Sequence, residues 1–147
     1  FVPFLSLEKD ECMMQQVSLS PTDAAALEFT GDLLVGLEGN DQDGRTGGRW
    51  HDINIYSTDT GSLATCVTYR TTVSTEIGHC YVDMAQDSSE VDALLSLYDP
   101  KERIVLESGC DRNRVVEAVV RRYDLQVLEV LDRLQSLPAE DPPAKPR

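Results

Sequence analysis

The amino-acid sequence predicts an α+β domain in which a four-stranded antiparallel sheet is packed by C-terminal helices. Two observations lead to this fold class. Between Leu33 and Met84, apolar and polar residues alternate with the period of two that a half-buried sheet requires. After Ser88, apolar residues instead recur every three or four positions, which is typical of amphipathic helices.

The first part of the chain is predicted to form a short helix and then a strand. Residues 20–23, Ser-Pro-Thr-Asp, combine a capping side chain with a proline in the first turn, which is typical of a helix start, so a helix is expected at residues 20–28. The first strand is predicted at residues 29–37. Residues 38–48 include four glycines and are predicted to form a long connection.

Three further strands are predicted at residues 49–57, 63–74 and 79–84, with turns at residues 58–61 and 75–78 between them. Each connection is short, so consecutive strands should be antiparallel neighbours. The sequence therefore predicts a four-stranded meander.

The last third of the chain is predicted to be helical. Residues 88–98 should form one helix, capped by Ser88 or Ser89. Residues 111–137 should form a long amphipathic helix, or two helices with a bend near Tyr123.

The chain is long enough for one domain with a substantial core, and we assign residues 1–137 to it. Residues 138–147 hold four prolines and are predicted to be a disordered tail. The apolar residues of the sheet should meet those of the helices. On the sheet these are Phe29, Leu33, Val35, Ile53, Ile55, Val67, Tyr69, Val82 and Met84, and on the helices Val91, Leu94, Leu95, Val116, Val119 and Val120.

The chain is strongly acidic, with 26 acidic and 13 basic residues and a net charge of -13. Such a surface repels phosphate backbones, which argues against direct nucleic-acid binding. No run of 18 apolar residues is present to span a membrane. The acidity fits a solvated surface, adaptation to salt, or a nucleic-acid mimic that binds a basic protein.

The four cysteines, Cys12, Cys66, Cys80 and Cys110, lie far apart and form no CxxC motif. Cys66 and Cys80 fall on consecutive predicted strands and are interpreted as two small buried apolar residues of a protein in the reducing cytoplasm. A disulfide between Cys66 and Cys80, or a metal pair with His79, is the alternative. We expect neither a metal nor a cofactor.

One predicted face of the sheet carries aromatic, charged and amide side chains together, a mixture that fits a ligand platform or a partner surface. The alternative is an ordinary solvated sheet face, since antiparallel sheets often leave one face to water. The candidate binding residues are Trp50, Asp52, Asn54, Tyr56, Arg70, His79 and Tyr81.

Catalysis has little support in the sequence, which lacks GxSxG, HExxH, P-loop and GxGxxG motifs. His51 and Asp52 are adjacent, so on a strand they face opposite sides and cannot form a dyad. A calcium loop around Gly44 fails, because its positions 1 and 12 would be Gly39 and Trp50.

The long helix carries a second pattern, a heptad seam of the kind that joins two helices. Its members are Val116, Val120, Tyr123, Val127, Val130 and Leu134, beside an adjoining stripe of Leu125, Leu128 and Leu131. A homodimer is therefore expected, with the interface formed by Tyr123, Val127, Val130 and Leu134; the alternative is a single wide core-facing stripe in a monomer.

Short motifs in residues 29–134 resemble the EXLDI family of small bacterial proteins. They are Gly-Asp-Leu-Leu at residues 31–34, Asp-Ile-Asn-Ile-Tyr-Ser-Thr at residues 52–58, and Glu-Val-Leu-Asp at residues 129–132. The chain has Arg133 where the family signature ends in Ile. The resemblance implies a small cytosolic protein and no particular activity.

The sequence leads to a non-catalytic, cytoplasmic binding or regulatory protein, homodimeric, that uses the polar, aromatic sheet face. The first alternative is an enzyme or small-molecule carrier with a pocket around His79, Arg70, Asp52 and Tyr56. The second alternative is the acidic nucleic-acid mimic.

Overall fold

The computed structural model describes residues 15–40, 44–105 and 112–137. These residues form an antiparallel sheet and two C-terminal helices, so the predicted α+β class is confirmed. The strands follow one another in chain order across the sheet, which has five strands rather than the predicted four. The elements are β1 (Gln15–Leu19), β2 (Leu27–Glu38), β3 (Arg49–Thr58), β4 (Leu63–Thr71), β5 (His79–Ala85), α1 (Ser88–Leu97) and α2 (Arg112–Gln135).

The additional strand is β1, which pairs with the start of β2 so that Val17 lies opposite Phe29. The helix predicted at residues 20–28 is wrong, because residues 22–24 form a turn and Leu27 begins β2. Pairing with β1 satisfies the backbone of residues 27–31, and this tertiary contact outweighs the weak local preference of three alanines for a helix.

The turn after β1 reaches the opposite edge of the sheet. Thr22 N donates a hydrogen bond to the Cys80 carbonyl at 2.9 Å, and Cys80 N donates to Thr22 Oγ1 at 2.7 Å. Because β1 and β5 are the outermost strands, these two bonds require a strongly curled sheet.

Both helices pack on one face of the sheet. Ile53, Ile55 and Val67 are fully buried there, together with Val91 of α1 and Val130 of α2. Burying a side chain of this size stabilises the fold by about 1.5–3 kcal/mol. The predicted contact between the centre of the sheet and the C-terminal helices is therefore confirmed for Ile53, Ile55, Val67 and Val91, whereas Val130 was expected at a dimer interface.

The ends of the predicted core differ from the structure. A register shift between Leu33 and Val35 places Val35 under the helices and leaves Leu33 beside Tyr56 on the other face. Phe29 lies on the same face as Leu33, since its ring contacts that of Tyr56.

The alternation of β5 is also opposite to the prediction. Tyr81 pairs with the buried Val67 and faces the helices, whereas Val82 and Met84 lie on the other face. The prediction failed because β5 has apolar residues on both of its faces, so its sequence does not show which face is buried. Ala85, on the same face as Tyr81, belongs to the core.

Helix α1 is capped by Asp87 rather than by a serine, because the Asp87 carboxylate accepts a hydrogen bond from Glu90 N at 3.0 Å. Helix α2 runs without interruption from Arg112 to Gln135, so the last part of the chain forms one helix rather than two. The predicted tail at residues 138–147 lies outside the described residues. Within the described ranges, neither helix is long and apolar enough to cross a membrane.

A buried ion pair ties the connection after β4 to the sheet. Glu76 Oε2 lies 2.7 Å from Arg49 Nη2, and Glu76 Oε1 accepts a hydrogen bond from the Tyr69 hydroxyl at 2.6 Å. Val105 N donates to Glu76 Oε2 at 2.8 Å, which holds the segment after α1 against the same carboxylate. Burial opposes the charge of Glu76, but these hydrogen bonds hold its pKa below the usual value.

Candidate functional site

The sheet face opposite α1 and α2, called the open face below, carries five of the seven candidate binding residues. Alternation along β3 and β4 aligns them, with Trp50 paired to Arg70. In the described part of the chain neither helix packs on this face. The five residues are Trp50, Asp52, Asn54, Tyr56 and Arg70.

Asp52 and Arg70 form the polar centre of the open face. Asp52 is buried, and its two carboxylate oxygens accept hydrogen bonds from Gly39 N, at 3.0 Å, and from Arg70 Nε. The bond to Asp52 raises the pKa of Arg70, whose side chain is still half exposed. The pair therefore holds a guanidinium group in place with its remaining donors toward solvent.

The other part of the open face is apolar. The rings of Phe29 and Tyr56 meet edge to face, with centroids 5.9 Å apart. Leu33 and Met84 remain 54% and 38% exposed. Ala64 is buried because it lies between the larger Tyr56 and Met84 on the neighbouring strands.

Two free thiols lie within the same face. The Sγ atoms of Cys66 and Cys80 are 3.7 Å apart, and both cysteines are unpaired. Burial, together with the neighbouring Cys80, raises the pKa of Cys66 to about 12. Cys66 therefore stays a protonated thiol at neutral pH, which is the behaviour of a buried apolar residue. Cys12 and Cys110 lie outside the described residues.

A shallow cavity of about 480 Å³ opens beside Trp50 at the edge of the open face. Thr68 and Arg70 of β4 line one side of the cavity. Thr22 and Cys80 line another side, where the turn after β1 is hydrogen-bonded to β5. Trp50, the one tryptophan of the chain, is half-buried there.

His79 and Tyr81 do not join this group as predicted. The register pairs them with Tyr69 and Val67, so their side chains lie on the helix-covered side of β5. The prediction failed because it rested on the inverted alternation of β5. His79 therefore does not reach Asp52, although it borders the edge of the cavity beside Trp50.

His79 instead lies in a separate cleft of about 430 Å³ between β5 and the end of α1. Its Nε2 atom is 3.3 Å from Asp23 Oδ2, and Arg103 Nη2 is 3.9 Å from the same oxygen. The rings of Tyr81 and Tyr98 form an aromatic wall, with centroids 5.9 Å apart.

The four residues predicted to form the dimer interface pack against the chain's own sheet. Tyr123, Val127 and Val130 are buried in the core, Leu134 is packed against its edge, and the Tyr123 hydroxyl donates to the Leu95 carbonyl at 2.7 Å. A heptad seam and a core-facing stripe share the same spacing, so the sequence did not separate them. The leucines of α2 that remain exposed are Leu125 and Leu128, at 59% and 65%.

The sequence prediction missed a buried histidine. The His51 ring lies among the rings of Tyr69, Tyr98 and Tyr123, with centroids 5.3, 5.5 and 5.1 Å away. Burial lowers the pKa of His51 to about 4, against the weaker attraction of Asp52. His51 and Asp52 lie on opposite faces, as expected, and form no dyad.

Four arginines border a further cavity of about 300 Å³ between α2 and the loop before β3. They are Arg45, Arg114, Arg121 and Arg122. The spacing of the last three along the predicted helix places them on one flank, which the sequence could have indicated. Among the described side chains, no group of three or more His, Cys, Asp or Glu is arranged to hold a metal ion.

Comparison with family models, with curated proteins and with solved structures found no match for this chain. The resemblance to the EXLDI family therefore stays a prediction.

Proposed function

We propose that this chain is a non-catalytic binding protein that contacts a partner protein through the open face. The observation that carries the proposal is that both helices bury one side of the sheet and leave aromatic and apolar side chains on the other. A set containing Trp50, Tyr56, Met84 and Arg70 has the composition of a protein interface core, where aromatic residues, methionine and arginine are enriched.

The partner should be a basic protein with an apolar anchor. The net charge of -13 steers a basic molecule toward this chain and repels acidic ones. Leu33 and Met84 offer the exposed apolar contact, and Arg70 beside Asp52 offers a fixed polar one. These contacts can bind a partner without catalysing a reaction, so we prefer a binding role to an enzymatic one.

Site-specific photo-crosslinking tests this proposal. A photoreactive amino acid replaces Leu33 on the open face or, as the matched control, Leu97, which is 80% exposed on α1. We expect a covalent protein adduct from position 33 and none from position 97. Adducts from both positions alike, or from neither, would contradict the proposal.

The crosslinked partner, once purified, is then titrated against the unmodified chain, with Trp50 fluorescence as the reporter of the open face. Leu33→Asp should weaken binding by about tenfold or more, since a charge replaces an apolar anchor, whereas Leu97→Asp should leave affinity unchanged. Higher salt should weaken binding because it screens the charge attraction.

We also propose that the chain self-associates, through a different part of α2 than the sequence indicated. Tyr123, Val127 and Val130 are occupied by the core, so a helix contact between two copies would use Leu125 and Leu128. These two leucines, three positions apart, lie on the same side of the helix.

The cleft at His79 supports a second candidate function, a small-molecule carrier. Its volume of about 430 Å³ falls in the range of ligand pockets, and it combines the tyrosine wall with the Asp23–His79 pair. A library of small amines and carboxylic acids, screened by ligand-observed NMR, tests this role. Binders should lose their signal change with His79→Ala, and a library without binders argues against a carrier.

A further inference from the structure

The cleft at His79 carries more negative than positive charge. Three of its described lining residues are acidic, namely Asp23, Asp99 and Glu102. Arg103 is the one arginine or lysine among the same described residues. The net charge of -13 adds to this negative potential. The electrostatics of the cleft therefore favour a positively charged ligand over a neutral or a negative one.

Two of the three carboxylates already have a positive partner within the chain. Asp23 Oδ2 lies 3.9 Å from Arg103 Nη2. Asp99 Oδ1 lies 3.2 Å from Lys101 Nζ. Glu102 differs from them, because its carboxylate is exposed and makes no ion pair or hydrogen bond with any residue that the structure describes. Glu102 is therefore the negative group of the cleft with which a cation from outside can pair.

The tyrosine wall of the cleft suits a cation as well. The ring centroids of Tyr81 and Tyr98 are 5.9 Å apart, and the ring planes are inclined at 42°. A cation is attracted to the face of an aromatic ring when it lies within about 6 Å of the centroid, so one small cation can interact with both rings. The ring of Tyr98 also packs on those of His51 and Tyr123, with centroids 5.5 and 5.4 Å away, which holds it in position.

The C-terminal end of α1 contributes further negative potential. Tyr98 follows the last residue of this helix, and its backbone N–H donates to the Leu94 carbonyl at 3.2 Å. The last turn of α1, all of which is described, contains no basic residue to balance the partial negative charge of the helix end. In the turn that follows, Glu102 N donates to the Asp99 carbonyl at 3.2 Å, and both side chains border the cleft.

We propose that the cleft at His79 binds a small organic ammonium ion, which contacts the tyrosine wall and pairs its charge with Glu102. The apolar side chains of Pro21 and Ala24 would contact the organic part of the ligand. The cleft volume of about 430 Å³ is large enough for such a molecule. This inference rests on the carrier function proposed for the same cleft, and it names the class of ligand.

Three molecules of similar shape and different charge test the proposal. They are choline, the dimethylbutanol in which carbon replaces the choline nitrogen, and dimethylbutanoate, which is an anion. Titrations by ligand-observed NMR at constant ionic strength should show choline binding about tenfold or more tightly than the alcohol, and the anion binding most weakly. If the alcohol or the anion binds as tightly as choline, the ammonium assignment is overturned while the carrier function stands. If none of the three binds, the assignment is overturned as well, and the library of amines and acids then decides the carrier function separately.

Two variants test the residues of the proposed site. Glu102→Gln should weaken choline binding by about threefold or more and leave the affinity for the alcohol unchanged, because it removes a charge and keeps the size of the side chain. Tyr81→Leu keeps an apolar side chain but removes a ring, so it should reduce the preference for choline over the alcohol. An unchanged preference in both variants would overturn the proposal.

Glu117→Gln is the matched control for Glu102→Gln. Glu117 is exposed on α2 and does not border the cleft, so its replacement makes the same change to the net charge at a different place. This variant should bind choline like the unchanged chain. An equal loss of affinity in Glu102→Gln and Glu117→Gln would indicate a general effect of the chain's charge and would count against a site at the cleft.

Discussion

His51 should make the stability of the fold depend on pH between about 4 and 6.5. Its side chain is 1% exposed, and its Nε2 atom has no hydrogen-bond partner among the described residues. Three tyrosine rings surround it, and burial lowers its pKa from 6.5 to about 4. The folded protein therefore holds His51 neutral at a pH where the unfolded chain would protonate it.

The sign and size of the effect follow from proton linkage. Above pH 6.5 His51 is neutral in both states, and its contribution to stability is fully present. As the pH falls through 6.5 toward 4, the unfolded state binds the extra proton and the free energy of unfolding decreases. With these two pKa values the loss is about 2 kcal/mol at pH 5 and about 3 kcal/mol at pH 4.

Urea unfolding at pH 8 and pH 5, followed by Trp50 fluorescence, measures this loss. His51→Phe keeps an aromatic ring among the tyrosines and removes the titrating group, so it should lose about 2 kcal/mol less than the unchanged chain between the two pH values. His79 is the one other histidine, and His79→Gln is the control that should follow the unchanged chain. If His51→Phe loses stability as steeply as the unchanged chain, the reasoning is refuted.

Three further predictions concern packing and assembly. Glu76→Gln should reduce the free energy of unfolding by about 3 kcal/mol, since it leaves the buried Arg49 charge without its partner; a loss below about 1 kcal/mol in urea would contradict this. Gly31→Ala should cost about 1–3 kcal/mol in the same assay, because its Cβ would lie 1.8 Å from the Ser57 carbonyl oxygen, and an unchanged midpoint would show this approach to be loose. Light scattering should report a dimer for the unchanged chain and a monomer for Leu128→Asp; a monomeric unchanged chain excludes the helix contact.

The centre of the sheet was predictable because its alternation is strict. Ile53 and Ile55 alternate with polar residues along β3, and Val67 does so along β4. The pairing of β3 with β4 places these three residues on the same face of the sheet. A strand that is buried on one side only has alternating apolar and polar residues, which can be recognised in the sequence. The open-face residues Trp50 and Arg70 were placed correctly for the same reason.

The edges of the sheet were not predictable from pattern alone. In β2, the register shift after Leu33 reverses which residues face the helices. No residue type in the sequence predicts a shift of this kind. In β5, Tyr81 and Val82 are both apolar, so their order along an edge strand fits either face. The site prediction inherited this ambiguity at His79 and Tyr81.

Contacts between distant segments account for the rest. Tyr123 sits in a stripe whose spacing suits a partner helix and a sheet equally well, and only the fold assigns it to the sheet. Arg114 and Arg121 share a helix flank that the sequence shows, but the approach of Arg45 depends on how the loop before β3 packs. Tertiary packing, which local pattern does not encode, decides both.

The bonds between Thr22 and Cys80 restrict how another polypeptide can associate with this sheet. Proteins often recruit an extended peptide as an extra strand through the unpaired backbone groups of an outermost strand. At Cys80 those groups are already occupied, so an incoming strand would first have to displace Thr22. These two hydrogen bonds therefore hinder strand addition and amyloid-like stacking at the start of β5. They favour recognition of a partner through side chains over recognition through the main chain.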